Sequence, residues 1–176
     1  LGGCGLFSNV DLLKAVRERH PDAFIIYKPH PDVESRNRKG RIPDEEALRY
    51  ADRVVRNVRM DVLLGIVDEV HTLTSLTGFE ALLRGIEVHA YGGPFYAGWG
   101  LTHDRIDFPR RKAGLSLEEL IAGTLILYPS YYDWQTKGFC TPEDICHRLT
   151  QPKGQMRGKF FMRTFAALRE KIRNVF

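Results

Sequence analysis

Short apolar runs alternate with helical patterns along most of the chain, and this alternation constrains the fold more than any other feature of the sequence. The run at 23–27 is continuously apolar, which is typical of a strand covered on both faces. Further strands are predicted at 53–56, 69–73 and 87–91, and helices at 10–20, 45–50, 61–67, 77–84, 116–127 and 141–149. Repeated strand–helix units of this kind predict an α/β fold, a Rossmann-like doubly wound parallel sheet.

Local signals mark the ends of several predicted helices. Ser8 or Asn9 is expected to cap the first helix, and Ser116 with Glu119 forms the sequence pattern of a capping box. Gly85 is expected to end the helix over 77–84 with a left-handed residue.

Composition excludes several classes of protein. With 43% hydrophobic and 27% charged residues, the 176-residue chain is expected to form a folded domain rather than a disordered chain. Its three cysteines are too few for a disulfide scaffold and lack the spacing of zinc ligands, so we expect no metal site. No stretch reaches the ~18 apolar residues of a membrane span, and no signal peptide is apparent. We therefore expect a cytoplasmic protein, and the opening Leu-Gly-Gly-Cys-Gly suggests a fragment of a longer one.

Charge divides the chain into a predicted domain at 1–150 and a basic tail at 151–176. The formal charge of the whole is +4, but the tail holds seven Lys and Arg residues against one Glu, which leaves the domain at −2. Apolar residues recur at helical spacing in the tail, which predicts a basic amphipathic helix. Two roles stay open: contact of residues 157–176 with an anionic membrane surface, or packing against another domain.

Ligands of doubly wound sheets bind beyond the carboxyl ends of the strands, which directs attention to three loops. The first follows Tyr27 and reads Lys-Pro-His-Pro. Two prolines fix the backbone around His30, whose imidazole could donate to a phosphate or transfer a proton, and Lys28 adds a positive charge. We therefore predict Lys28 and His30 as binding residues and His30 as catalytic. The alternative is a rigid turn with a solvent-facing histidine.

The second loop follows the strand at 69–73 and is rich in hydroxyls. Ser75, Thr77 and the amide of Gly78 stand at the start of a predicted helix, where free N–H groups favour an anion. Glu80 lies one turn further on and could accept hydrogen bonds from ribose hydroxyls. The alternative is an ordinary helix cap. No Walker pattern is present, which disfavours ATP hydrolysis.

The third loop is rich in glycine and aromatic residues. Gly92 and Gly93 could let the backbone approach a ligand closely, while Tyr96 and Trp99 offer flat faces for a sugar or a base. The alternative is an aromatic-packed loop that covers the end of the sheet.

Three motifs occur together in a fixed order: KPHPDV at 28–33, TSLTGFEALLRG at 74–85 and YGGPFYAGWGLT at 91–102. This set, continued by PRR and LSLEELIAGTLILYP, resembles the KpsC/LipA-type capsule polysaccharide proteins, which are β-Kdo glycosyltransferases of the GT-B fold. The resemblance implies that the chain is the donor-binding half of such an enzyme. It also implies that an amino-terminal Rossmann half supplies the remaining part of the active site.

The resemblance further implies a CMP-Kdo donor, a lipid-linked Kdo acceptor and retention of the β configuration, with no cofactor beyond the donor substrate. His30 and Pro31 match the family's His-Pro motif near the donor phosphate, Ser75 and Thr77 its hydroxyl motif, and Glu80 its ribose ligand. Alone, the chain is then expected to be inactive. Attachment to the inner membrane would follow from the tail.

Two alternative functions remain open at this point. The first is another CMP-sugar enzyme of the GT-B fold, such as a sialyltransferase-like protein. The second is a non-catalytic basic binding module. Because residues 1–150 are acidic overall and no RNA-type aromatic motif is present, we expect no nucleic-acid partner.

Overall fold

The computed structural model of the chain describes residues 8–30 and 40–150. Contacts divide the chain into two compact units, Leu1–Thr124 and Leu125–Phe176. Pro31 and the predicted helix over 151–176 lie outside the described residues, so the predicted boundary at residue 150 stays a prediction.

The first unit alternates short helices and strands. Its helices are α1 (Asn9–Arg19), α2 (Asp44–Ala47), α3 (Met60–Leu63), α4 (Thr77–Leu82) and α5 (Leu117–Ile121). Its strands are β1 (Ile26–Tyr27), β2 (Arg53–Val54), β3 (Glu69–Thr72), β4 (Glu87–Ala90) and β5 (His103–Asp104). A π-helix, Ala122–Leu127, directly follows α5.

The strands form two parallel sheets. In the first, β1 pairs with β2, and in the second the strand order is β3-β4-β5. Residues of β3 stand opposite residues of β4 in the order Glu69–Glu87, Val70–Val88, His71–His89 and Thr72–Ala90. The predicted α/β class with parallel strands is confirmed.

The predicted caps form as the sequence indicates. Ser8 caps α1 through a capping box with Asp11, and Ser116 caps α5 through a capping box with Glu119. Each box satisfies two amide groups at the open end of a helix. Gly85 follows α4 with a φ of 71°, a conformation that glycine adopts without steric cost.

A single guanidinium fastens the end of α1 to the first sheet. Arg17 donates to the carbonyls of four residues and forms an ion pair of 2.5 Å with Asp52. The Asp52 carboxylate in turn accepts the amide of Ile25 at 2.7 Å, immediately before β1. The carbonyl acceptors of Arg17 are Tyr50, His20, Pro21 and Ala23.

Two hydrophobic clusters form the core of this unit. The first core cluster joins α1 to the segments around β1 and α2, and includes Leu13, Val16, Ile25, Ile42, Ala47, Ala51 and Tyr91. The second core cluster joins α4 to β4 and α5, and includes Leu64, Phe79, Ala81, Leu82, Val88, Tyr96 and Leu120.

Several predicted elements have different bounds in the structure. The strand predicted at 23–27 begins only at Ile26, because the amide of Ile25 bonds to a side chain, and Phe24 is 70% exposed rather than covered. The single α-helix predicted at 116–127 is wrong in its second half. There the hydroxyl of Thr124 donates to the carbonyl of Leu120 at 2.7 Å and competes for the helical backbone acceptor.

The second unit contains a hairpin that the sequence analysis did not predict. Strands β6 (Tyr131–Asp133) and β7 (Gly138–Cys140) pair antiparallel, and α6 (Pro142–Thr150) follows. The buried Asp133 forms an ion pair of 2.7 Å with Arg148 of α6, which fastens the helix to the hairpin. Lys137 takes a φ of 55° in the turn between the strands.

Among the helices of residues 8–30 and 40–150, none is both long enough and apolar enough to cross a bilayer.

Candidate functional site

The three predicted loops start from residues that share one hydrophobic cluster. Tyr27 precedes the first loop, Leu73 the second and Tyr91 the third, and all three belong to or pack against the first core cluster. Since β1 and β2 are parallel, as are β3, β4 and β5, the loops leave the carboxyl ends of their strands. This is the edge where ligands of such sheets bind.

Hydroxyl groups at the end of β3 and in the following loop form one network with a tyrosine of the third loop. We call it the hydroxyl cluster (Thr72, Ser75, Thr77 and Tyr96). The Thr72 hydroxyl accepts the amide of Ser75 at 3.1 Å. The Ser75 hydroxyl accepts the amide of Thr77 at 3.2 Å and donates to the Thr77 hydroxyl at 3.1 Å. Because the Thr77 hydroxyl accepts within this cluster, its own O–H is not used by the hydrogen bonds of residues 8–30 and 40–150.

Tyr96 is the fully buried member of the hydroxyl cluster. Its side chain is completely buried, and its hydroxyl donates to the carbonyl of Ser75 at 2.5 Å. Burial raises the pKa of Tyr96, so the phenol stays protonated and remains a donor. The predicted stacking role of Tyr96 therefore needs correction, because a fully buried ring has no face open to a ligand.

Gly78 has a steric role that differs from its predicted one. A Cβ at this position would lie 2.2 Å from the Tyr96 hydroxyl and 2.6 Å from its Cζ. Its amide already donates to the carbonyl of Ser75 at 3.2 Å, so it is not a vacant donor. Gly78 lets helix α4 lie directly on the tyrosine that positions Ser75.

Glu80 stands one turn into α4 and is half-buried. Within the described part of the chain, its carboxylate makes no hydrogen bond or ion pair. Its backbone carbonyl, in contrast, accepts a hydrogen bond from Arg84 at 2.8 Å. The carboxylate is thus available to accept hydrogen bonds, as the predicted ribose contact requires.

The first loop is fixed at its start. Lys28 is half-buried, and its ammonium group donates to the carbonyl of Arg56 at 2.9 Å, which leaves two further N–H donors. Pro29 is buried and His30 is exposed at the end of the described segment. The roles predicted for Lys28, His30 and Pro31 stay predictions, and Pro31 lies outside the described residues.

The glycine-rich loop is held by its own polar groups. Gly98 and Gly100 take φ values of 80° and 82°, whereas Gly92 and Gly93 do not have positive φ. The Asp104 carboxylate accepts the amide of Gly98 at 2.8 Å and the hydroxyl of Thr102 at 2.7 Å. The positive φ values that glycine permits therefore occur at Gly98 and Gly100, and not at the predicted Gly92 and Gly93.

Arg111 organises the same loop from outside it. Its guanidinium donates to the carbonyls of Pro94 and Ala97 and stacks over the rings of Trp99 and Phe108, at 5.4 and 4.7 Å from the ring centroids. The Trp99 indole N–H donates to the carbonyl of Phe95 at 2.8 Å. These contacts favour the alternative of a packed loop, in which Trp99 is partly buried. Arg111 belongs to the PRR motif, but no role was predicted for it from the sequence.

A second polar group lies within the strands themselves. We call it the histidine ladder; it consists of His20 at the end of α1 together with Glu69, His71, Glu87, His89 and His103. The ring of His71 stacks on His89 with centroids 4.5 Å apart, and His89 stacks on His103 at 4.6 Å. Side chains two residues apart share one face of a strand, which is why each Glu lies beside its His.

Electrostatics in the histidine ladder keep its inner rings neutral. Burial, together with the neighbouring His89, lowers the pKa of His71 to about 4. Burial also lowers the pKa of His89, with His103 adding to the effect. Although burial works in the opposite direction, the hydrogen bond from His71 and the nearby histidines hold the pKa of Glu69 below its usual value.

The sequence contains a signal for this ladder, although it lies outside the three motifs. The tripeptide Glu-Val-His occurs at 69–71 and again at 87–89, in two strands that pair in register. A repeated acidic–apolar–imidazole pattern in adjacent strands places all its polar side chains on one face.

Comparison with known proteins agrees with this architecture. The sequence profile of the family described as "Capsule polysaccharide biosynthesis protein" matches residues 6–131. The chain belongs to this family. It is 51% identical over 156 residues to the capsule polysaccharide modification protein LipA of Neisseria meningitidis serogroup B. It is 41% identical over 131 residues to the lipopolysaccharide-processing protein LpsZ of Rhizobium meliloti.

Two solved structures share the fold. The β-Kdo 2,7 transferase of Thermosulfurimonas dismutans KpsC is 44% identical, with a TM-score of 0.74, and its match covers 84% of this chain. The β-Kdo 2,4 transferase of the same KpsC is 34% identical with a TM-score of 0.69 over 79% of this chain. The family and the fold predicted from the three motifs are therefore confirmed.

The chain spans only part of these proteins. It covers 22% of LipA and 30% of LpsZ, and 47% and 43% of the two KpsC transferase chains.

Proposed function

We propose that this chain is the donor-binding half of a glycosyltransferase that builds the Kdo linker of a capsular polysaccharide. In this proposal the enzyme transfers Kdo from CMP-Kdo to a lipid-linked acceptor and retains the β configuration. The observation that supports it most directly is the likeness to two Kdo transferases, each matched over almost half of its length at 34–44% identity. A match of that extent fits one Rossmann half of a two-half enzyme.

The geometry suggests how the donor would be bound. The Thr77 O–H, which the hydrogen bonds of the hydroxyl cluster do not use, and the remaining N–H donors of Lys28 would hold the donor phosphate. The half-buried Glu80 carboxylate would accept the ribose hydroxyls. The buried Tyr96 keeps Ser75, and through it Thr77, in a fixed position. A preorganised donor of this kind stabilises charge that develops on the leaving phosphate, and removing one slows an enzyme by ~10²–10³.

His30 is the proposed catalytic group of this half, since it is exposed at the carboxyl end of β1. Its imidazole would donate to the phosphate as the bond to the sugar breaks. The acceptor and the other catalytic groups would come from the partner half. We accordingly propose that the chain alone binds CMP but transfers no sugar and needs no cofactor besides the donor.

The test is a calorimetric titration of CMP into the 176-residue chain, with UDP and GDP as competing nucleotides. We expect saturable binding of CMP and at least about tenfold weaker binding after Thr77→Val, because a hydrogen bond to a charged group contributes roughly 1.5–3 kcal/mol. Thr74→Val is the matched control, since Thr74 is an exposed hydroxyl residue of the same loop. UDP or GDP binding as tightly as CMP contradicts the proposed donor class.

A parallel pair of variants examines the first loop. His30→Ala is expected to weaken CMP binding, while His147→Ala, at an exposed histidine of the second unit, is expected to leave it unchanged. Equal affinities for CMP in His30→Ala and the parent chain reject the assignment of His30 to the phosphate.

Attachment to the inner membrane through residues 157–176 is a further part of the proposal, supported by the basic, amphipathic sequence of that segment. Co-sedimentation with anionic vesicles, with and without residues 151–176, tests it. Unchanged sedimentation after the deletion favours the packing role instead.

A further inference from the structure

In the histidine ladder, three ring nitrogens surround one carboxylate oxygen. This exceeds the two lone pairs with which that oxygen can accept hydrogen bonds. The Oε2 atom of Glu69 lies 3.1 Å from Nε2 of His71, 3.3 Å from Nε2 of His89 and 3.4 Å from Nε2 of His20. These residues come from three places in the fold: the C-cap of α1, strand β3 and strand β4. The fold has thus brought distant parts of the chain to one carboxylate oxygen.

One of these nitrogens has no hydrogen-bond partner. Nε2 of His20 is buried, yet it makes no hydrogen bond, and it is the one buried side-chain nitrogen or oxygen of residues 8–30 and 40–150 in that state. A buried polar atom without a partner costs free energy unless something else satisfies it. It lies 3.4 Å from Oε2 of Glu69, the same oxygen that Nε2 of His71 approaches to 3.1 Å.

The spacing of these atoms fits a metal ion. The ligand atoms of His20, Glu69 and His71 all lie within 4.8 Å of one another. Ligands of a tetrahedral zinc ion at ~2.0–2.1 Å lie about 3.3 Å apart. The nitrogen–oxygen separations of 3.1 and 3.4 Å are close to that edge length.

The surroundings also resemble those of metal ligands. Nδ1 of His71 lies 3.2 Å from the hydroxyl of Tyr91, which can orient the ring and fix its tautomer. Metal-bound histidines are generally held in this way through their second nitrogen. Tyr91 is itself buried and in contact with Arg105, whose guanidinium lies 5.5 Å from the ring centroid.

We propose that His20, Glu69 and His71 form a binding site for a divalent ion of the zinc class, which fastens the end of α1 to β3. Two imidazoles and one carboxylate suit zinc and its neighbours, whereas magnesium and calcium prefer sets of oxygen ligands. The site lies at the end of α1 and in β3, and not in the three loops, so it acts on the stability of the fold and is independent of the proposed transfer reaction.

The test uses the untagged 176-residue chain with Cys4, Cys140 and Cys146 replaced by serine, so that neither a tag nor a thiol binds the metal. After treatment with a chelator and gel filtration, the chain is titrated with zinc and melted. We expect one equivalent of zinc to bind and, at hundredfold excess over Kd, the Tm to rise by roughly 5–10 °C. Cobalt(II) in place of zinc is expected to give the intense visible bands of a tetrahedral site.

Three variants locate the ion. Glu69→Gln and His20→Gln keep the size of the side chain but remove or misplace a ligand, so both are expected to abolish the zinc-dependent rise in Tm. His103→Gln is the control, because the exposed His103 contacts Glu87 and not Glu69. Metal-free melting of each variant, followed by circular dichroism, separates loss of the site from loss of the fold.

Three results overturn the proposal. The first is absence of stoichiometric zinc binding by the parent chain. The second is an equal rise in Tm with magnesium, which contradicts the zinc class. The third is loss of zinc binding in His103→Gln while Glu69→Gln still binds, which would move the ion to the outer group of Glu87, His89 and His103.

Discussion

The hydroxyl cluster and the histidine ladder both include residues of β3, but their polar groups are satisfied in opposite ways. In the hydroxyl cluster, neutral donors and acceptors pair among three hydroxyl residues and a buried tyrosine. In the histidine ladder, titratable groups crowd around one carboxylate, and a buried nitrogen is left without a hydrogen bond. The first arrangement fixes geometry, whereas the second makes stability depend on protons and, in our proposal, on a metal.

The largest expected effect is steric and falls on the hydroxyl cluster. Gly78→Val would place side-chain atoms inside the ring of Tyr96, which cannot turn away because it is fully buried. We expect a loss of about 3 kcal/mol in the free energy of unfolding, at the upper end for an overpacked core. Urea denaturation measures it, and Gly123→Ala, which meets no atom within 4 Å, serves as the control.

A comparable effect is expected from pH, and it falls on the histidine ladder. Because the pKa of His71 is about 4 in the fold, below its unfolded value, the unfolded chain binds more protons between these values. The metal-free chain should therefore lose up to roughly 3 kcal/mol of stability as the pH falls from about 6.5 to 4. Denaturation across this range checks the slope, which should be shallower in His71→Gln.

A smaller effect is expected when the hydroxyl cluster loses one hydrogen bond. Tyr96→Phe removes the donor to the carbonyl of Ser75, which still accepts the amide of Gly78. The free energy of unfolding should fall by about 1 kcal/mol, with no change in its pH dependence. If the loss of stability in Tyr96→Phe depends on pH, the assignment of pH-dependent stability to the histidine ladder and not to the hydroxyl cluster is wrong.

The smallest effect is expected at the outer end of the histidine ladder. Glu87 pairs with His89 at 3.1 Å and with His103 at 3.0 Å, but its side chain is 49% exposed. Solvent screens such pairs, so Glu87→Gln should change the stability by less than about 0.5 kcal/mol at neutral pH. The same denaturation assay is applied to Glu69→Gln. If both variants lose the same free energy of unfolding, the difference in exposure of the two carboxylates does not determine what they contribute to stability.

The sequence predicted the order of elements because strand periodicity and helix caps are local signals. Ser8, Ser116 and Gly85 act as their neighbours in the sequence indicate. The late start of β1 could not be predicted in the same way, since it depends on Asp52 reaching the amide of Ile25 from 27 residues away. The β6–β7 hairpin was missed because its turn is closed by Lys137 rather than by glycine or asparagine.

The candidate site was predictable in position but not in detail. The three loops follow from the rule for strand ends, and their neighbours Tyr27, Leu73 and Tyr91 meet in one cluster. Burial decides the individual roles, and burial is a property of the assembled fold. Tyr96 is therefore a buried support, although its sequence context of glycine and aromatic residues also suits an exposed stacking residue.

The linkage of Arg17 to Asp52 and Ile25 has a consequence for local opening. The guanidinium, the carboxylate and the amide hold the end of α1 and the start of β1 through shared bonds, so none of these segments can detach without the others. The amides of Ile25 and Asp52 should therefore exchange with deuterium through one common opening event. A lysine in place of Arg17 offers fewer donors and a single point of charge. The end of α1 and the start of β1 would then open independently in Arg17→Lys, and the two amides would exchange at different rates.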